Sequence, residues 1–428
     1  MNYNTQNAKI ASITEKTLIV GIDVGSETHY ARAFDWRNYE YTKKPLEFSN
    51  TEAGFQTFKA WMNELAEKYG KTAVIPGMEP TGHYWFALGK FLQDNGMKPV
   101  HVNPHHVKKS KELDDNNPNK NDRKDPKTIA ALVNEGRFSY PYIPTGIYAE
   151  IRSLSNLRFQ TQEELTRIKN RIARWFSIYF PEYKDVYGDL KAVSGRMVLK
   201  AAPLPEDIRK LGAEGVNQIW RDAKLRGAGM KRAKTLVSAA EHSVGSKEAP
   251  EAARIELRNL LNDMEVYAAR LEELLHGIGE KLKGIPYVDK LMGIKGIGLA
   301  TVSGFIAEVG DIGRFDNPKQ LQKLAGYAIV SNDSGKHNGE SRISYRGRKR
   351  LRYVLYEAAI SLIGKNREFK EIHEYYRARE KNPLKKMQSV IAVACKIIRV
   401  FYTILTKGVD YDGNRLLGDI RRPQVQAA

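Results

Sequence analysis

The chain holds a single cysteine, Cys395, among its 428 residues. No disulfide can form within the chain, and a zinc site built on cysteines is excluded. Cys395 falls in the helical pattern SVIAVACKIIRVFYTIL and reads as core filler in a reducing cytoplasm. No apolar run approaches the roughly 20 residues that span a bilayer, so no membrane partner is expected. The opening MNYNTQNAKIASITEKT lacks the apolar core of a signal peptide. No G-x-G-x-x-G follows the first strand pattern, which argues against a dinucleotide fold, and no organic cofactor is expected. His29, His83, His101, His105 and His106 fit no zinc spacing and read as surface or core polar residues or phosphate contacts. Acid is the scarcer charge: 50 Asp and Glu stand against 69 Lys and Arg, a net charge of +19. An excess of this size points to a polyanionic partner, nucleic acid before an anionic membrane.

Apolar runs ending in Gly or an acid (KTLIVGIDVGSE, TAVIPGME, KPVHVN) read as buried strands. TEAGFQTFKAWMNELAEKYG, GHYWFALGKFLQDNG, PHHVKKSKEL and DPKTIAALVNEG read as the helices between and after them. The alternation indicates an α/β sheet over 1–143, closed by a linker, FSYPYIPTG. Leu154, Leu157, Thr161, Leu165, Ile168, Ile172, Trp175 and Tyr179 then fall at steps of three and four, and Leu257 to Ile278 repeat the pattern. Residues 144–285 are therefore expected to be two long antiparallel helices forming a coiled coil, with a helical insert at about 183–250. Ordinary core faces of a helical domain, or a dimerising seam, would leave the same pattern. Residues 286–428 form a mainly α-helical C-terminal domain, with a tail after Gly408 that is loosely held.

Two groups of residues carry chemistry. Asp23 and Glu79 each follow a strand, and Asp122 and Asp125 stand three residues apart at a helix start. Four hard oxygen donors converging at one sheet edge suit Mg²⁺ or Mn²⁺, and such ions serve phosphodiester chemistry. Taken singly these residues say less: GIDVGS also resembles the phosphate loop of actin-like ATPases, and Asp122 can be a helix cap. The second group is SNDSGKHNGESRISYRGRKRLR, from Ser331 to Arg352. Its Lys336, Arg342, Arg346, Arg348, Lys349, Arg350 and Arg352 suit a phosphate backbone. Its hydroxyls include Ser331, Ser334, Ser341, Ser344 and Tyr345. Ser334 has Gly335 beside it, which lets a phosphate approach closely, and Ser344 suits a phosphate contact. A turn-forming loop serine is the ordinary alternative. Upstream, GIKGIG, with Lys295 at its centre, resembles a helix-hairpin-helix turn that meets phosphate through backbone N–H groups.

GIDVGSETH, GMEPTGHYW, VNPHHVKKSKEL, KNDRKDPKTIA, LMGIKGIG and LAGYAIVSNDSGKHNGESRISYRGRKRLRYVLYEAA, in this order, resemble the DEDD-type transposases of the insertion-sequence one-ten family over nearly the whole chain. The resemblance implies an RNase H-like, RuvC-like N-terminal domain whose tetrad Asp23, Glu79, Asp122 and Asp125 binds Mg²⁺. It implies Ser334 as a nucleophile that joins covalently to DNA. It also implies donor and target DNA and an element-encoded guide RNA as partners, and a tetramer with active sites built from two subunits. Asp333 stands where the family pattern has Gln, and AGYAIVS replaces AGLAPV, which leaves the partners of Ser334 open. A structure-selective nuclease of the RNase H-like class, cutting with metal-activated water, is the alternative function.

Overall fold

The computed structural model describes residues 3–80, 82–114, 125–188, 190–330 and 342–421. They divide into two compact units, 1–143 and 144–428.

Unit 1 opens with helix α1 (Tyr3–Ala11) and a meander of β1 (Thr17–Val24), β2 (Thr28–Phe34) and β3 (Leu46–Ser49). Helix α2 (Glu52–Lys68), β4 (Ala73–Met78), α3 (Trp85–Asp94), β5 (Val100–Val102), α4 (Pro104–Asp114), α5 (Asp125–Asn134) and β6 (Phe138–Ser139) follow. The six strands form one sheet in the order β3-β2-β1-β4-β5-β6. β1, β4 and β5 run parallel, and β2, β3 and β6 run against their neighbours. Thr51 starts α2 as its sequence suggests, its hydroxyl accepting from the Gly54 N–H at 3.2 Å. Gly96 closes α3 with φ +75°. The first residues of the expected linker are instead β6, antiparallel to β5.

Alternation along β1 sorts its side chains. Leu18, Val20 and Ile22 join Phe58, Met62 and Leu88 of α2 and α3 in the core on one face. Ile19 joins Ile129, Ala130 and Val133 of α5 on the other. Gly21 and Gly77 lie opposite each other in the β1–β4 register, both toward α5. A Cβ on Gly21 would sit 1.8 Å from the Pro126 carbonyl oxygen, and one on Gly77 would sit 2.6 Å from Val133 Cγ2. The glycine pair is therefore a trough that lets α5 lie directly on the backbone of the two central strands. Gly21→Ala must push α5 off the sheet, and a loss of about 3 kcal/mol is expected. Chemical denaturation would measure it, and an unchanged midpoint would mean that α5 is not seated there.

Unit 2 begins with α6 (Gly146–Tyr179) and returns along α11 (Pro250–Leu282). Between them lie α7 (Tyr183–Tyr187), α8 (Val193–Ala201), α9 (Pro205–Asp222) and α10 (Met230–Glu241). α6 and α11 are antiparallel: Trp175 donates its indole N–H to the Ala253 carbonyl at 3.0 Å, and Ile151 shares a core with Ile278. The apolar spacing does not hold over the whole length. Leu157 is 50% exposed, while Ile151 and Ser155 are buried, because the first turns of α6 pack against α13 (Leu299–Val309) as well.

α12 (Val288–Met292) precedes α13, and α14 (Pro318–Leu324), the ribbon β7 (Ile329–Val330) and β8 (Arg342–Ile343), α15 (Lys349–Lys365), α16 (Arg367–Ala378), α17 (Lys386–Lys407) and α18 (Gly413–Arg421) follow. By length and composition alone α17 is apolar enough to cross a membrane, although Lys396 and Arg399 interrupt its apolar run. Its Val393, Ile397, Phe401 and Ile404 instead fill the core of unit 2. Within the tail after Gly408, residues 413–421 fold as α18, whose Leu417 is buried in that core; residues after 421 lie outside the described residues.

Candidate functional site

The glycine trough fixes where the carboxylates of unit 1 stand. Asp23 lies two residues beyond Gly21 in β1 and so falls on the α5 face, and Glu79 is the first residue past β4, two beyond Gly77. Asp125 is the first residue of α5, one before the Pro126 that touches Gly21. Asp23 and Glu79 are half-buried and Asp125 is buried. The Lys111 ammonium, from α4, is ion-paired with Asp125 Oδ2. Three predicted ligands thus come from neighbouring strand ends and the start of α5; the fourth, Asp122, lies outside the described residues. Among the described residues no three Asp, Glu, His or Cys side chains close on a single point. The donor set nonetheless suits a hard divalent ion, and a cation already rests on Asp125.

The nearby histidines divide. His29 is wholly buried, with ring centroids 5.1 Å from Phe48 and 6.0 Å from Phe55. Its place is in the core, and burial lowers its pKa. His101 packs edge-on against Trp85 at 4.2 Å, and burial brings its pKa down to about 4.

In unit 2, Ile294 and Ile297 are buried and hold the turn between α12 and α13, leaving Lys295 exposed at its tip. Gly296 takes φ +103°, and its carbonyl accepts from the Ser361 hydroxyl at 2.7 Å. The segment after β8 is pinned to the end of α14: the Tyr345 N–H reaches the Gly326 carbonyl at 3.1 Å, and the Arg348 N–H reaches that of Leu324 at 2.7 Å. Ser344 serves this turn, donating its hydroxyl to Gly326 O and accepting from the Arg346 N–H, each at 3.3 Å. Ser331, Ser334, Lys336 and Ser341 lie outside the described residues, between β7 and β8. Cys395 is no rival nucleophile, since burial pushes its thiol up to about 11.

The cations of this segment are not equivalent. Arg342, Arg346 and Lys349 are exposed. Arg348 pairs with the nearly buried Glu308 at 3.2 Å. Arg350 binds Asn156 and covers the Phe159 ring at 4.7 Å. Arg352 holds the carbonyls of Ala325 and Tyr345 at 3.0 and 3.2 Å. If Arg342, Arg346 and Lys349 touch duplex phosphates, replacing all three by Gln should flatten the slope of log K against log salt by nearly 3. A salt titration of duplex binding measures this, and an unchanged slope would mean that these cations face only solvent. Arg348→Gln belongs to a different class, because it strands the Glu308 carboxylate and should lower stability first.

Carboxylates at one end of the central strands of a mixed sheet, and a helical unit with exposed cations on a pinned turn, suit a protein that acts on nucleic acid. The DEDD transposase sequence model matches residues 20–181, and that of the transposase IS116/IS110/IS902 family matches residues 288–377, together more than half of the chain. The 44.8 kDa protein of insertion element IS116 from Streptomyces clavuligerus is 23% identical over 67% of this chain and 71% of its own length. The 43.6 kDa protein of insertion element IS110 from Streptomyces coelicolor is 22% identical over 94% of this chain and 97% of its own. The chain belongs to the IS110/IS116/IS902 family of insertion-sequence transposases. Its DEDD membership implies divalent-metal use.

Proposed function

We propose that this transposase is an RNA-guided recombinase that exchanges DNA strands through a serine–DNA ester, with Asp23, Glu79, Asp122 and Asp125 holding Mg²⁺ or Mn²⁺. The observation that supports the reading is the paired glycine trough: Asp23 and Glu79 each stand two residues beyond one of its glycines, and Asp125 begins the helix that lies against it. The strand order and directions of unit 1 support an RNase H-like domain. A bound ion would supply neutralisation of phosphate charge and a lower pKa for the attacking group. Lys111 would give up its pairing with Asp125 as the ion binds.

Ser334 acts as the nucleophile. Its Oγ bonds to phosphorus as the bond to the departing sugar oxygen breaks, and the serine proton passes to solvent or to a base. The ester keeps the energy of the broken phosphodiester, so joining needs no nucleotide cofactor. Guidance by an element-encoded RNA and a tetrameric assembly complete the proposal. RNA recovered from the purified protein should be one structured species encoded by the element, and bulk cellular RNA in its place would contradict guidance. Cleavage without joining would favour the nuclease alternative.

A further inference from the structure

One groove of unit 2 borders the basic segment, sharing Lys349 and Arg350 with it, but takes no part in the strand chemistry above. It encloses about 1160 Å³ between α6, α13 and α15. Arg158, Gln162 and Thr166, four residues apart on one face of α6, line it together with Arg350 and Tyr353 of α15. At its end the Phe159 ring carries two guanidiniums, Arg158 at 4.6 Å and Arg350 at 4.7 Å from its centroid. Tyr353 meets the same ring edge-on at 6.4 Å and is 54% exposed.

Among the described residues neither arginine has a carboxylate partner. Arg350 donates to the Asn156 side-chain oxygen, and Arg158 Nε has no hydrogen-bond partner. Burial first, and then the Arg350 charge, pull the Arg158 pKa below the usual arginine value, against an opposing effect of Tyr353. The acids on the groove do not relieve this: Glu308 is held by Arg348, and Glu163 and Glu357 are exposed. Two half-buried cations over one aromatic ring cost folding energy that cation–π attraction offsets only in part. An anion between them would remove the conflict.

We propose that this groove seats an unpaired nucleotide, its phosphate between Arg158 and Arg350 and its base against the Tyr353 ring. The proposal rests on the nucleic-acid reading above and adds the state of the strand. A duplex keeps its bases inside and its phosphates on a convex surface, so it can meet exposed Lys349 but cannot enter the groove. Single strands are held by this combination of a cationic channel with an aromatic platform. DNA and RNA share the chemistry, and the 2′-hydroxyl separates them.

The test is equilibrium binding of labelled oligothymidylate, oligouridylate and a blunt duplex to full-length protein freed of copurified RNA. Arg158→Gln should weaken binding of the preferred single strand about tenfold and make its salt slope shallower by about 0.7, the share of one phosphate. Duplex affinity should stay within about twofold, and thermal stability should hold or rise because a repulsion is gone. Tyr353→Leu should weaken single-strand binding about tenfold with no change in slope, and Tyr353→Phe should restore it. Preference for the uridylate assigns the groove to RNA, and preference for the thymidylate assigns it to DNA. Equal weakening of duplex and single strand, or an unchanged single-strand affinity in both variants, would overturn the proposal. A wild-type protein that binds duplex but no single strand would do the same. A wild-type protein that binds neither would overturn the nucleic-acid reading itself.

Discussion

Asp23→Ala, Glu79→Ala and Asp125→Ala are each expected to lower strand exchange by about a thousandfold or more, with unfolding changed by less than about 1 kcal/mol. The two effects separate because these side chains contribute little to the fold. Asp23, near the end of β1, and Glu79, just past the end of the adjacent β4, are both half-buried carboxylates, and their like charge favours removing either when no metal is bound. Asp125 pairs with Lys111, but Lys111 is partly exposed and can return to water at little cost. Catalysis needs all of them, since a divalent ion is held by several oxygens and loses both affinity and position when one is removed. Thermal unfolding and strand exchange measured on the same preparations check the pair of expectations. An Asp125→Ala protein that recombines normally would sink the metal assignment.

Ser334→Ala is expected to abolish strand exchange and to leave DNA and RNA binding within about twofold of wild type. The substitution removes one hydroxyl and no charge, so electrostatic attachment to phosphates is untouched. Without the hydroxyl the expected ester cannot form. Ser344 is engaged in the turn through both its hydroxyl bonds. Tyr345 is the serious rival, because it is 60% exposed and a phenol can attack phosphorus. It sits at φ +54°, with the Arg352 guanidinium 5.3 Å from its ring centroid and bonded to its carbonyl. The turn and the arginine thus hold the Tyr345 backbone and ring in place. Tyr345→Phe should keep most of the exchange activity, and its complete loss, with Ser334→Ala still active, would reverse the assignment.

Much of unit 1 could be read from sequence because its strands are buried runs and its helices carry Thr51 and Gly96 at their ends. The mixed sheet and the mostly helical remainder follow from that texture. The pairing of Gly21 with Gly77 was not read, although a trace of it is present: Gly-Ile-Asp and Gly-Met-Glu repeat one pattern at two strand ends. Only the register turns that repeat into a trough with two carboxylates beyond it. Strand β6 was hidden in a proline-containing stretch, since two residues are too few to show alternation. Leu157 was misread because a seam inferred from spacing assumes one partner helix, and α6 has two. Among the arginines, a run of like charge in sequence gave no means of separating exposed Arg346 from Arg348, which is bound to Glu308. Arg158 and Phe159 were missed because their partner, Arg350, lies nearly two hundred residues away.

The measurement that tests the central claim most directly is the mass of the protein–DNA adduct. Full-length protein, with its RNA and Mg²⁺, is given a nicked DNA that can be cut but not rejoined, and the trapped product is digested and mapped. The account predicts one modified peptide, carrying a nucleotide on Ser334, and none from Ser334→Ala or from samples without divalent metal. A nucleotide on Tyr345, or vigorous cleavage with no adduct on any peptide, would contradict it.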